Sequence, residues 1–188
     1  IPEFAKLYEN AGASCISVLT DQKYFHGNID DLITVKKSVK IPILRKDFIL
    51  DESQIIESKI IGADCILLIV ACLSKLQFNE LLLFSKELDM DVLVEVHDRE
   101  ELDIALESDC KIIGINNRNL KTFDVSIDTS LELCEIIKDD NIIVVSESGI
   151  KDIETIKKLN EKNIKSFLVG ESLIKHSDPG LLLESLVG

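Results

Sequence analysis

Seven short runs rich in Ile, Val and Leu constrain this chain more than any other feature: CISVLT (15–20), IPILRK (41–46), CILLIV (65–70), DVLVEV (91–96), KIIGIN (111–116), IIVVSE (142–147) and SFLVG (166–170). Most are continuously apolar, the pattern of strands covered on both faces and hence of a parallel sheet. The stretches between them carry helical periodicity, among them DESQIIESKIIGA, LSKLQFNELLLFSKELDM, DREELDIALES, DTSLELCEII and KDIETIKKLNEKN. Gly62 stands where a C-cap would close one helix, and Ser74 where an N-cap would open another. PEFAKLYENAG reads as a further helix, with Pro2 in its first turn, Phe4, Leu7 and Tyr8 on one face and Gly12 as its stop. Strand–helix units recur at spacings of roughly 20–30 residues with no Gly-Ser or Pro-rich linker between them, which predicts a single α/β domain over 1–188.

Two architectures suit such a repeat. A doubly wound open sheet favours a Gly-rich turn after its first strand, and none follows CISVLT. A (β/α)8 TIM barrel instead places polar residues at the C-terminal ends of many strands. Lys46 ends one run, Glu95 another, Asn116 a third, and Ser146, Glu147 and Ser148 close a fourth. By strand parity Lys46 goes with Leu44, Glu95 with Leu93 and Asn116 with Gly114, while Arg45 faces the other way, toward a helix layer. A single charge at a strand end is ordinarily solvated; a set of them favours the barrel and a site.

The chemistry of that set is acid–base. A Lys beside a Glu in a partly dry pocket gives a proton donor and a proton acceptor. Asn116 offers an amide donor and acceptor for a substrate hydroxyl, and Arg118 a fork for a carboxylate, unless it pairs with a neighbouring Asp. Gly149 in SESGI and Gly170 in VGESL each allow close backbone approach ahead of a helical stretch, as in barrels that bind phosphate after their last two strands. Tyr24 and Phe25 lie in a polar loop, as satellite packing or as a ligand-facing wall.

Composition sets limits. A formal net charge of -13 argues against a nucleic-acid surface but not against a small anionic ligand. The five cysteines form no C-x-x-C pair, so neither a disulfide framework nor a zinc site is expected, and a reducing, cytoplasmic setting is. Cys65 and Cys72 are expected to pack as small hydrophobes. His26 and His97 stand alone, without partners at metal-ligand spacing. No stretch is long and apolar enough for a membrane span.

Together these segments resemble the indole-3-glycerol phosphate synthase family, (β/α)8-barrel carboxy-lyases of tryptophan biosynthesis. AGASCISVLTDQKYFHGNIDDL, IPILRKDFILDESQI, GADCILLIV, DMDVLVEVHDREEL, IIGINNRNLKTFDV, VSESGI and FLVGESL occur in the family's order across nearly the whole chain. The resemblance implies closure of the indole ring of 1-(2-carboxyphenylamino)-1-deoxyribulose 5-phosphate with loss of CO2 and water, without metal or organic cofactor. It implies Lys46 as general acid and Glu95 as general base. Phe25, Phe48, Asn116, Arg118 and Glu147 are implied to bind substrate, and Ser148, Gly149, Gly170 and Glu171 to bind its phosphate. Glu171 stands where a small residue is often found, so its carboxylate must turn away from the phosphate.

The family also carries a first strand ending in Glu and Lys and a Lys-x-Ser-Pro-Ser loop, and nothing in this sequence matches them. The seven runs are therefore expected to be strands two to eight of an N-terminally incomplete barrel, with impaired activity and with strand edges open to self-association. Two rival readings are another phosphate-binding barrel, such as phosphoribosylanthranilate isomerase, and a non-catalytic fragment retaining a phosphate site. The first would want a Cys and an Asp at strand ends, whereas Cys15 and Cys65 begin strands.

Overall fold

The computed structural model describes residues Ile1–Gly188. All seven apolar runs form strands: β1 (Ile16–Leu19), β2 (Ile43–Lys46), β3 (Cys65–Ile69), β4 (Asp91–Val96), β5 (Ile112–Asn116), β6 (Ile143–Glu147) and β7 (Ser166–Leu168). They follow one another in the sheet in chain order, and the registers of β1–β2, β2–β3, β5–β6 and β6–β7 are parallel. The helices are α1 (Pro2–Asn10), α2 (Gln22–Phe25), α3 (Ile29–Ser38), α4 (Glu52–Ile61), α5 (Lys75–Glu87), α6 (Arg99–Leu106), α7 (Asp128–Cys134), α8 (Ile153–Glu161), α9 (Glu171–Lys175) and α10 (Pro179–Val187). The result is an α/β fold with a seven-stranded parallel sheet.

The helix boundaries follow local chemistry. Ser74 accepts a hydrogen bond from Gln77 N and opens α5, and Gly62 closes α4 in the left-handed region. Asp51, Asp98 and Asp152 cap α4, α6 and α8 in the same manner as Ser74. Of the helices beyond the quoted helical runs, α3 and α10 begin at Asn28 and Asp178 caps.

The chain resolves into two compact units, Ile1–Leu93 with Val187, and Val94–Leu186 with Gly188. In the first, Leu32, Ile43, Ile55, Ile66, Leu68 and Phe78 are fully buried and form the inner packing of helices and strands. Glu9 at the end of α1 accepts hydrogen bonds from the backbone N–H groups of Lys40 and Ile41, tying that helix to the entry of β2. In the second, Ile150, Ile156, Leu159, Ile164 and Leu186 form a core that β6, β7, α7 and α10 complete with Val144, Phe167, Leu131 and Leu182.

Three expectations change. The face of α1 carrying Phe4 and Leu7 is exposed, and the helix buries Ala5 instead. Tyr24 and Phe25 lie on a one-turn helix rather than in a loop, since the Asp21 carboxylate accepts from Tyr24 N at 2.6 Å and starts it. Cys72 is exposed, because the chain leaves β3 through a short 3-10 turn, Val70–Cys72, that carries it out of the core. Cys65 is more enclosed, and burial pushes its thiol up to about 12.

Candidate functional site

In the first unit, Lys46 is the last residue of β2 and stands in register with Leu19, the last residue of β1. Its neighbour Arg45 is buried on the opposite side of the strand. There the guanidinium donates to Ser58 Oγ and Gln54 O of α4, pairs with Glu57 of α4 at 2.8 Å, and reaches Thr20 and Asp47. Arg45 thus fixes the rotation of the strand end, and alternation turns Lys46 to the face away from α4. Phe48 follows, its carbonyl held by Gln54 Nε2 at 2.9 Å. Phe25 stacks on Phe48 at 6.3 Å between centroids and Tyr24 meets it edge-on at 5.9 Å. Tyr24 and Phe25 are 64% and 52% exposed, so the two residues that cover Phe48 face solvent.

The second unit holds a continuous run of polar contacts. Glu95, near the end of β4, is only 3% exposed. Its Oε1 accepts from Asn116 Nδ2 at 3.2 Å. Asn116 ends β5, and its Oδ1 accepts from Ser148 Oγ at 2.9 Å and from Arg118 N at 3.1 Å. The amide expected to orient a substrate hydroxyl therefore links Glu95 to the loop after β6. Glu147 is in register with Asn116 and is 1% exposed.

That loop is held from behind by Asn117. Its Nδ2 donates to Ser146 Oγ and to Ser148 O, both at 3.0 Å, and its Oδ1 accepts from Ser130 N at 3.0 Å. Ser148 and Gly149 both adopt positive φ, at 66° and 79°. A Cβ on Gly149 would fall 2.8 Å from Val125 Cγ1, so the turn requires glycine on both counts. Gly170 differs: its φ is negative, and a Cβ there would meet nothing within 4 Å. Ser172 Oγ donates to Ile150 O at 2.6 Å and joins the two glycine turns.

Arg118 does not pair with a neighbouring Asp. Its guanidinium donates to Glu171 Oε2 at 2.6 Å, and Lys175 holds the other oxygen of that carboxylate at 2.6 Å. Lys175 and then Arg118 hold the Glu171 carboxyl below the usual range.

His97, isolated in the sequence, is the main residue that pattern reading missed. Its Nδ1 lies 3.0 Å from Glu101 Oε2, its backbone N–H donates to the same oxygen at 2.8 Å, and its Nε2 lies 3.2 Å from Glu95 Oε1. The last contact is close but outside hydrogen-bond geometry. Burial works against charge on this imidazole; the Glu101 and Glu95 carboxylates outweigh it and push its pKa up to about 9. The spacings Glu95–His97 on a strand and His97–Glu101 into a helix start were the available signal. Asn117 and Ser172 gave no such signal, because their partners are distant in sequence.

A sequence model of the indole-3-glycerol phosphate synthases matches residues 1–186. The chain belongs to the indole-3-glycerol phosphate synthase family. Among relatives of that name, one from Polaromonas naphthalenivorans is 47% identical over 186 residues, 99% of this chain and 70% of the relative. One from Aquifex aeolicus is 51% identical over 187 residues, 99% of this chain and 73% of the relative. A chain in the crystal structure of the Amycolatopsis orientalis BexX/CysO complex superposes with a TM-score of 0.69 over 99% of this chain and 81% of that one; at 16% identity this likeness concerns the fold alone. Indole-3-glycerol phosphate synthases are carboxy-lyases of tryptophan biosynthesis, and no helix of this chain is long and apolar enough to cross a membrane.

Proposed function

We propose that this family member closes the indole ring of 1-(2-carboxyphenylamino)-1-deoxyribulose 5-phosphate, with Lys46 as acid and Glu95 as base. The ring carbon bearing the carboxylate attacks the ketone carbon of the sugar chain, and Lys46 protonates the ketone oxygen as charge develops on it. Loss of CO2 restores aromaticity; Lys46, reprotonated from solvent, then gives the new hydroxyl the proton with which it leaves as water, while Glu95 takes the proton from the adjacent carbon. Arg118 receives the substrate carboxylate, with Asn116 and Glu147 orienting the chain and Phe25 and Phe48 flanking the aromatic ring. The phosphate is received by Ser148 and Gly149 on one side and by Gly170 and Glu171 on the other, through backbone N–H groups. Gly170 supports this, since nothing inside the protein occupies the space of a Cβ there.

The observation that carries the residue assignment is the run Glu95–Asn116–Ser148, which connects a buried carboxylate to the glycine turn by two hydrogen bonds. We read residues 1–188 as a single domain, because the unit boundary falls inside β4 and not in a linker. We read β1–β7 as strands two to eight of the family's barrel. Five cysteines without a C-x-x-C pair support a reducing, cytoplasmic setting.

The test is kinetic, with product followed by indole fluorescence. Lys46→Ala and Glu95→Gln each lower kcat by about 10²–10⁴ with KM changed far less. Equal loss in phosphate affinity would make Lys46 a binding residue. The 188-residue chain as it stands turns over far more slowly than the Aquifex aeolicus relative; comparable turnover would refute this. Phosphate binding with no turnover at all would favour the non-catalytic reading.

A further inference from the structure

We propose that His97 is a positioning residue which, anchored by Glu101, fixes Glu95 and keeps it a carboxylate. The proposal rests on the reading of Glu95 as general base.

The geometry calls for an imidazolium. A neutral imidazole has one N–H and one bare nitrogen. Carboxylate oxygens lie 3.0 Å from Nδ1 and 3.2 Å from Nε2, the second outside hydrogen-bond geometry, so two carboxylates stand within ion-pair distance of one ring and both favour its charged form. The side chain is 9% exposed, so little water screens that attraction.

The charged groups facing the ring are Glu95 from β4 and Glu101 from α6; β5 contributes the neutral amide of Asn116 to Glu95. Asp98 lies next in sequence, but its carboxylate caps α6 by accepting from Glu101 N at 3.0 Å. That cap holds Glu101 in the first turn of α6, where it grips both Nδ1 and the His97 backbone. His97 is therefore immobilised from the helix side and presents its other nitrogen to Glu95.

The purpose follows from burial. A carboxylate as enclosed as Glu95 tends to hold its proton, and a protonated Glu95 cannot serve as a base. A cation 3.2 Å away opposes that tendency. The contact also falls on Oε1, the oxygen that Asn116 holds, so both restraints act on the same end of the carboxylate.

The experiment has two arms on the 188-residue chain. Histidine-labelled NMR follows the His97 ring, assigned by its loss in His97→Gln. We expect it to titrate near pH 9 and to fall by about one pH unit or more in Glu95→Gln and in Glu101→Gln. An ordinary imidazole titration indifferent to Glu95→Gln would overturn the proposal without any assay. In single-turnover kinetics, His97→Gln moves the acidic limb of the pH–rate profile up by about one unit, a loss of about tenfold on that limb. Its substrate affinity changes less than about threefold. Glu101→Gln adds a dependence at neutral pH as His97 loses its proton there. An unmoved profile in both variants overturns the proposal. Full activity in Glu95→Gln sinks the general-base reading instead, an outcome the NMR arm distinguishes.

Discussion

On the proposed assignment of Arg118, Glu171 is a surface carboxylate in competition with the substrate. It occupies Arg118, the cation proposed to receive the substrate's own carboxylate, and is shared with Lys175. The side chains of Arg118 and Glu171 are 34% and 56% exposed, so water and salt screen the pair and its contribution is small. That is weak enough for an incoming anion to displace, with Lys175 retaining the departing carboxylate. Glu171→Gln should therefore lower KM for the anionic substrate by about two- to fivefold at low ionic strength, with the difference gone in ~0.5 M salt. Initial-rate kinetics across a salt series measures this. A raised KM would mean instead that Glu171 aims Arg118 at the substrate.

The two glycine turns look alike in sequence and differ as elements. Gly149 is needed by the protein itself, through its positive φ and the Val125 methyl beside it. Gly149→Ala should destabilise the fold by about 1–3 kcal/mol, read as a lower denaturation midpoint. Gly170→Ala meets no internal obstacle, so its cost should appear as weaker phosphate binding with the midpoint unchanged. If Gly170→Ala instead lowers the midpoint and leaves KM intact, the phosphate role of that turn is wrong. Such differences mark where sequence reading stops. The strands were legible because a doubly covered parallel strand must be apolar along its whole length, and Arg45 was legible because parity is rigid. The α2 turn was not, being four residues set by one Asp21 cap, too short for any period to register. Among the site residues, Lys46, Glu95 and Asn116 stand out as polar breaks in apolar runs. Asn117 does not, since nothing local says which asparagine of INNRN turns inward to gather Ser130, Ser146 and Ser148.

At the scale of the whole molecule, His97 ties stability to pH. Its folded pKa, about 9, lies above the model-compound value of 6.5. The folded state thus binds the proton more tightly, and the contribution is fully present below pH 6.5 and lost as pH rises through 9. The ceiling is roughly 3 kcal/mol, reduced by whatever water reaches the ring. Urea midpoints between pH 7 and pH 10 should fall further for the parent chain than for His97→Gln, and parallel curves would count against it. The boundary between Leu93 and Val94 has a consequence of another sort. Lys46 lies before it, while Glu95, His97, Glu101, Asn116 and Ser148 all lie after it. In genetic terms, a crossover at that point would exchange the proposed proton donor between relatives and pass on the proposed acceptor together with His97, Glu101, Asn116 and Ser148 as one heritable block.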